Sequence, residues 1–516
     1  MAIIANSTHL LHSIRRPKKY FLAALYISIG GFLNGYDTGS IGSITEMPSF
    51  QSSIATLSPT MRGLTVSFLM LAGAIPSPFA GLLADKFGHL RIVLAGAVFF
   101  TAGAALEASA LNLAMLLIGR SLVGIGEGLY LGNLNVYICE IAPRSRRGQL
   151  MALPQGLVTL GICCGYFTCY GTIRLPGEMA WRLPFLIQAV GGALMALTCF
   201  LLPESPRWLM SRNRIETAVH NMSLLDFDHD EIQQDLMSPS AEEGTGALAQ
   251  PQLSWRSVRD IFRKKYRFRT MLALFILGMV QLCGIDGLLY YAPTIFAQAG
   301  LSPETASFVA SGVSGILMFA ISVPALLLAD HWGRRTLVIW GGISLAGCMT
   351  IIGSLYASNS VLSDRGAGRW IVIVLIFVFA LTYCATWGIV GKIYASEIQP
   401  GHNRATANAL AQALNFFTNF LTAFITPIFL ARSSSGPYFL FAALSAFTLG
   451  ILWMYMPETR GRSLEAIQEV FHPPAQDFFA KLLAKRSLRR RAGKSGPAQS
   501  HEPVLHGQGT TSIELQ

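Results

Sequence analysis

Read for hydropathy, the chain is a series of long apolar runs separated by short polar ones. Runs of about 20 apolar residues, enough to cross a bilayer as a helix, fall at 21–41, 62–84, 91–110, 113–136, 150–171, 183–202, 270–291, 305–329, 336–357, 370–392, 406–430 and 437–456. The pattern predicts an all-α membrane protein with twelve transmembrane helices, six on either side of one long polar segment at 203–269. That segment opens with the helical pattern SPRWLMSRNRIETAVHNMSLL, passes through a polar middle with Pro239, and returns through a basic stretch from Arg256 to Arg269.

The polar punctuation repeats. GLLADKFGHLR at 81–91 is echoed by LLLADHWGRRT at 326–336, YICEIAPRSRRG at 137–148 by YASEIQPGHNRA at 394–405, and PESPRWL from Pro203 by PETRGRSL from Pro457. The pairs Asp85/Asp330, Glu140/Glu397 and Glu204/Glu458 are offset by 245, 257 and 254 residues. A nearly constant offset across three unrelated motifs predicts two pseudosymmetric six-helix bundles built as a parallel repeat. The expected organisation is a cytoplasmic segment 1–20, a first bundle 21–202, a helical cytoplasmic linker 203–269, a second bundle 270–456 and a cytoplasmic tail 457–516, disordered beyond about 475.

Composition agrees with the spans and narrows the class. With 52% hydrophobic and 13% charged residues, the chain lies far from soluble domains, in which about a quarter of residues are charged. The net charge of +11 resides in loops: 31 of the 39 Lys and Arg fall on one side of the spans if the N-terminus is cytoplasmic. Positive-inside topology accounts for this better than nucleic acid does, and places both termini in the cytoplasm of a multi-pass protein expected in the plasma membrane. The basic run Lys485 to Lys494 either lies near anionic lipid or merely solubilises the tail. All eight cysteines sit within apolar stretches, which suits small buried hydrophobes rather than a disulfide framework or a metal site. No nucleophile–base pair, phosphate loop or metal cluster appears, so neither an enzyme nor a cofactor is expected.

Two ionisable residues inside spans demand a reason. Asp37, midway along the first run, costs at least a few kcal/mol unless paired or protonated, and Arg120 at the start of the fourth run is its natural partner. Arg120, Gly124, Gly128 and Gly132 form an i+4 stripe that offers a flat face to another helix. Glu127, on nearly the same side, either shares the Arg120 charge or faces water in a cavity.

The ordered set GYDTG, LADKFG, GRSLVGIGEG, YICEIAP, PESPRWL, GIDGLLYYAP, LADHWGRR, YASEIQP and PETRGRSLE resembles the sugar porter family of the major facilitator superfamily over about residues 20–472. The resemblance implies two bundles rocking around a central site, with Asp37 taking and releasing a coupling proton and Arg120 tuning it. It also implies substrate contacts at Gln155, Gln281, Asp286, Tyr291 and Asn419. A cytoplasmic gate would comprise Asp85, Arg91, Glu140, Arg147, Glu204 and Arg207 in one half, with Asp330, Arg334, Arg335, Glu397, Arg404, Glu458 and Arg460 in the other.

The departures from the family pattern concern the substrate. Asp286 stands in place of Asn, Met318 in place of Asn, and Lys392 in place of the Trp that stacks on the sugar; His89 replaces an Arg of the gate. Either Lys392 and Asp286 neutralise each other beside a neutral polyol, or Lys392 receives the carboxylate of an acidic substrate. The first is the expectation taken forward, because an unpartnered ammonium at that depth is costly. The function expected is a secondary transporter of a sugar or related polyhydroxylated molecule, coupled to protons. The alternatives are a uniporter or exporter of a hydroxy acid or other metabolite, or a non-transporting nutrient sensor.

Overall fold

The structure, a computed structural model, describes residues 18–143, 146, 150–151, 153–228, 232, 255–301, 312–328, 333–361, 366–399, 401–460 and 471. The side chains of 255–257, 326–328 and 401–405 are outside that description, as are the middle of the linker and nearly all of the tail. Residues Met1–Gln468 form one compact unit and Glu469–Gln516 a second.

The described residues are largely helical, without a strand, and the twelve expected spans are all present. Eight are single stretches long and apolar enough to cross a membrane, and a ninth is the pair Pro59–Ala74 and Ser77–Phe87, bent by 43°. The bend lies at Pro76 and Pro78, which remove backbone donors and crowd the preceding turn. The remaining three are the first span, Lys19–Ile27 continued by Ile29–Glu46, the fifth, Leu153–Thr172, and the eighth, Ser314–Leu328. The first is interrupted at Ser28, whose hydroxyl donates back to the Ala24 carbonyl at 2.5 Å, a local bond that competes with the helical ladder. The fourth span, Leu113–Ile141, and the eleventh, Gly401–Arg432, run beyond their apolar stretches. On the sixth span, Met179–Leu201, the side chains of Val190, Leu194, Leu197 and Leu201 are exposed at helical spacing, the stripe expected of a lipid face.

Glycine sets how closely the spans approach. A Cβ at Gly31, Gly35 or Gly39 of the first span would run into the carbonyls of Pro154, Val158 and Ile162 of the fifth, and Gly161 and Gly165 face the first span's backbone in return. On the fourth span, Gly124 and Gly128 lie against the Leu69 and Gly73 carbonyls of the second, whereas Gly132 meets nothing. Two of the three stripe glycines therefore make the predicted flat face.

The sequence repeat reappears as a repeat of contacts. Tyr137 Oη donates to the Pro203 carbonyl at 2.7 Å, and Tyr394 Oη to the Pro457 carbonyl at 3.1 Å. Glu204 accepts from the Leu90 backbone N–H at 3.2 Å, and Glu458 from the Arg335 N–H at 3.1 Å. Each of these acids closes the open N-terminus of a span, the third (His89–Ala108) and the ninth (Arg334–Ala357), where unpaired donors and the helix dipole favour a carboxylate. A Cβ at Gly88 or Gly333 would crowd the same two carboxylates, and Gly88 has the positive φ of +102° that favours glycine. The linker begins with the helices Pro206–Ser211 and Ile215–Leu224. It is tied to the first span by Leu225, whose carbonyl accepts from Tyr20 N–H at 3.1 Å, and by the Lys18–Asp228 pair at 2.8 Å.

Gly35→Ala therefore places a methyl group in the Val158 carbonyl and is expected to lower stability by about 1–3 kcal/mol or more. Gly132→Ala, in open space, should be neutral or slightly stabilising through helix propensity. Thermal melting of the purified protein in detergent checks the contrast, and equal melting temperatures would remove the close-approach explanation.

Candidate functional site

Asp37 and Arg120 meet in the interior of the first bundle. Arg120 Nη1 donates to Asp37 Oδ1 at 2.5 Å, and both side chains are shut off from solvent, at 0% and 1% exposure. The guanidinium also donates to the carbonyls of Val66, at 2.9 Å, and Thr65, at 3.3 Å. One side chain thus ties together the first, second and fourth spans. Gln188 of the sixth span adds an amide N–H to Asp37 Oδ1 and another to Ser40 Oγ, both at 3.3 Å.

Two more acids share this interior. Glu107, at the end of the third span, lies 3.9 Å from Arg120 Nη1, and neither of its oxygens has a hydrogen-bond partner. Glu127 accepts from Asn34 Nδ2 at 3.0 Å. Both are completely buried, so Glu127 does not face water in a cavity. A membrane-buried acid is tolerated when paired or when it carries a proton, and among the described residues one guanidinium serves three acids.

A second constellation lies where the bundles meet, around breaks in two spans. The seventh span stops at Gln281 and resumes as Ile285–Tyr290 after Gly284, which has φ +96° and whose open side faces the Phe441 ring. The tenth is interrupted at Thr386, between Gly368–Ala385 and Trp387–Glu397. Breaks of this kind are tolerated at depth only where protein or water satisfies the freed backbone. Lys392 Nζ reaches across from the tenth span to Gln155 Oε1 of the fifth at 3.2 Å, and Lys392 is exposed. Gln281 accepts from Tyr383 Oη at 3.0 Å and donates to Asn415 Oδ1 at 3.4 Å, and Asn415 donates to the Leu277 carbonyl at 2.7 Å. Asp286 and Asn419 are buried, each with one oxygen lacking a partner.

The structure brings together Gln155, Lys392 and, through electrostatic interaction, Asp286. Lys392 and Asp286 form no direct ion pair within 4 Å, but each feels the charge of the other. Tyr291 lies elsewhere: its hydroxyl is used on the Ala423 carbonyl at 2.9 Å, and its ring stacks on the Arg62 guanidinium at 5.2 Å.

The Arg62 contact belongs to a closed face at the loop ends of the spans opposite the gate motifs. Arg62 pairs with Glu46, and Thr294 bonds to both, at 3.1 Å from Arg62 Nη2 and 2.9 Å to Glu46 Oε1. Tyr166 Oη donates to the Leu289 carbonyl at 2.7 Å, and Gly42 packs directly on the Tyr290 carbonyl. These contacts join the two halves of the chain.

At the gate motifs, by contrast, every described bond stays within one half. His89 Nε2 lies 3.4 Å from Glu140, as its repeat equivalent Arg334 lies 3.1 Å from Glu397. The Asp85 carbonyl accepts from Trp208 Nε1 at 2.8 Å and from Arg212 at 2.7 Å. Arg335 donates to the Trp453 carbonyl, and the Arg460 N–H to Glu458. Arg91 is exposed and Arg207 half-buried. Arg147, Asp330 and the side chain of Arg404 lie outside the described residues.

Sequence reasoning passed over Glu107, Gln188, Tyr383 and Asn415. Glu107 carried a signal of its own, an acid within an apolar run; the other three are amide and phenol groups whose partners lie 102 to 151 residues away.

Comparison with known proteins bears on the whole chain. A family profile described as "Sugar (and other) transporter" matches residues 23–471. The chain is 32% identical over 467 residues to the MFS-type transporter criB of Aspergillus cristatus, covering 90% of this chain and 95% of that one. It is 30% identical over 478 residues to the sugar transport protein MST7 of rice, covering 87% and 91%. Among solved structures it resembles the xylose transporter XylE from E. coli in a partially occluded inward-open conformation, with a TM-score of 0.69, 22% identity, and 86% and 99% of the two chains covered.

Arg120→Leu would strand the buried Asp37 carboxylate. Breaking a buried pair costs about 3–5 kcal/mol, so the variant should lose most of its folded, monodisperse population in size-exclusion chromatography. The double variant Asp37→Leu with Arg120→Leu should recover part of it. No recovery would mean that the guanidinium acts through its backbone bonds to Thr65 and Val66 rather than through charge.

Proposed function

The chain belongs to the sugar porters of the major facilitator superfamily, and from that premise we propose that it is a proton-coupled secondary transporter of a polyhydroxylated small molecule. The observation that carries this reading is the Asp37–Arg120 pair, buried at mid-span and joined by Gln188. An isolated carboxylate there is costly, whereas one that alternates between a guanidinium and a proton can link protonation to helix movement. In the paired state Arg120 holds the first, second and fourth spans together. Protonation of Asp37 weakens that hold and frees the first span to move.

Alternating access then needs two mouths that close in turn. The Arg62–Glu46–Thr294 cluster and the Gly42–Tyr290 contact form the closed face. The acids and bases of the repeated motifs form the other gate, and their described bonds lie within their own halves. Opening the first face while closing the second requires the Glu140–His89 and Glu397–Arg334 groups to exchange partners across the halves. We place both termini in the cytoplasm, on the strength of the Lys and Arg distribution between loops, and the protein in the plasma membrane.

The test is uptake into proteoliposomes under an imposed pH gradient. Wild type should accumulate substrate above its outside concentration and lose that ability with an uncoupler. Asp37→Asn should abolish uphill accumulation while substrate exchange between the two sides persists. Unchanged accumulation by Asp37→Asn would sink the coupling role.

A further inference from the structure

On the Lys392 side of the inter-bundle site, each amide oxygen already accepts one hydrogen bond. Gln155 Oε1 receives the Lys392 ammonium, Gln281 Oε1 receives the Tyr383 hydroxyl, and Asn415 Oδ1 receives the Gln281 amide. Donors are what remain. Lysine has three N–H donors and no acceptor, so its bond to Gln155 leaves two of its own N–H groups and fixes the Gln155 amide with oxygen inward and NH2 outward. Gln281 keeps one further N–H.

Charge points the same way. Among the described residues no carboxylate lies within 4 Å of Lys392, although Lys392 is exposed within its span on the side that meets the opposite bundle. A hydroxyl placed against Lys392 would use its oxygen on the ammonium, and its proton would have to share an amide oxygen that already accepts a bond. A carboxylate is all acceptor, carries the complementary charge, and its two oxygens can span neighbouring ammonium and amide donors.

Resting on the transporter reading, we propose that the substrate is a polyhydroxylated carboxylate, an open-chain or cyclic sugar acid, whose carboxylate is held by Lys392 and Gln155. Its hydroxyls find acceptors on the other side of the site, where Asp286 and Asn419 each keep a buried oxygen without a partner. Asp286 also limits the charge. With one ammonium and one acid near each other, the site favours a monocarboxylate over a dicarboxylate.

Binding to the purified full-length protein tests this with matched pairs that differ chiefly in the carboxylate: gluconate with glucitol, galacturonate with galactose, and quinate with inositol. At least one acid should bind wild type about tenfold or more tightly than its neutral partner, the size of a charge-assisted hydrogen bond. Lys392→Met should erase that ratio. Equal or weaker binding of every acid in wild type, which needs no variant to fold, would overturn the proposal, as would a ratio unchanged in a folded Lys392→Met. Transport of the same panel separates this from the transporter reading. Uptake of neutral members with no acid preference overturns the carboxylate proposal alone, whereas acid binding without uptake of any member overturns the transport reading and upholds the ligand class.

Discussion

Arg120 is the side chain on which the first bundle depends. It is fully buried, it holds Asp37, and it reaches the Thr65 and Val66 carbonyls of a neighbouring span. A guanidinium at this depth must have its donors satisfied and its charge balanced. That requirement dictates how closely the first, second and fourth spans approach. The glycines make the approach possible: Gly35 and Gly39 let the first span lie on fifth-span carbonyls, and Gly124 lets the fourth lie on Leu69. The ion pair and the glycine contacts are therefore one device. Small residues bring backbones within reach, and the charged pair makes that proximity favourable where lipid offers no hydrophobic drive for helix association.

The second bundle contains no counterpart of this pair among the described residues. Its breaks in the seventh and tenth spans instead carry amides, a phenol, an acid and an ammonium toward the opposite half. The two bundles share their ends and differ in their middles. At the ends, Glu204 and Glu458 cap equivalent helices, Tyr137 and Tyr394 bond equivalent prolines' carbonyls, and His89 stands where Arg334 stands in the repeat.

The architecture was legible because its signals are local and strong: twelve apolar runs, loops biased in charge, motifs repeated at a fixed offset. Asp37 and Arg120 were legible for a related reason, since a charge inside an apolar run stands out against its neighbours. What eluded sequence reasoning was the partner of each charge. Glu204 and Glu458 read as ion-pair acids, yet their carboxylates serve backbone N–H groups, and backbone donors leave no mark in a sequence. Glu127 read either as sharing the Arg120 charge or as facing water; it is buried, bonded to Asn34, and feels the Arg120 charge. Glu107 was overlooked because the run containing it remains apolar on average. Lys392 and Asp286 interact through charge without direct contact, a separation that only the relative placement of the seventh and tenth spans determines.

The two sites are connected through a short rigid route. Asp37 lies on Ile29–Glu46, and Gly42 of that same helix touches the Tyr290 carbonyl at the end of Ile285–Tyr290, the half-span that carries Asp286. Tyr166 of the fifth span grips the adjacent Leu289 carbonyl, and the fifth span also carries Gln155, the partner of Lys392. A shift of the first span is thereby felt at both walls of the inter-bundle site, because glycine contacts against carbonyls have no compliant side chain to absorb it. Packed backbones of this kind change between discrete arrangements rather than by gradual deformation. With substrate held at Lys392 and Gln155 as proposed, the first span would bias contacts to which it makes no direct bond, and occupancy there would bias the first span by the same free energy in return. Coupling between proton and substrate in this chain then requires no carboxylate that touches both, only a helix with too little side chain to yield.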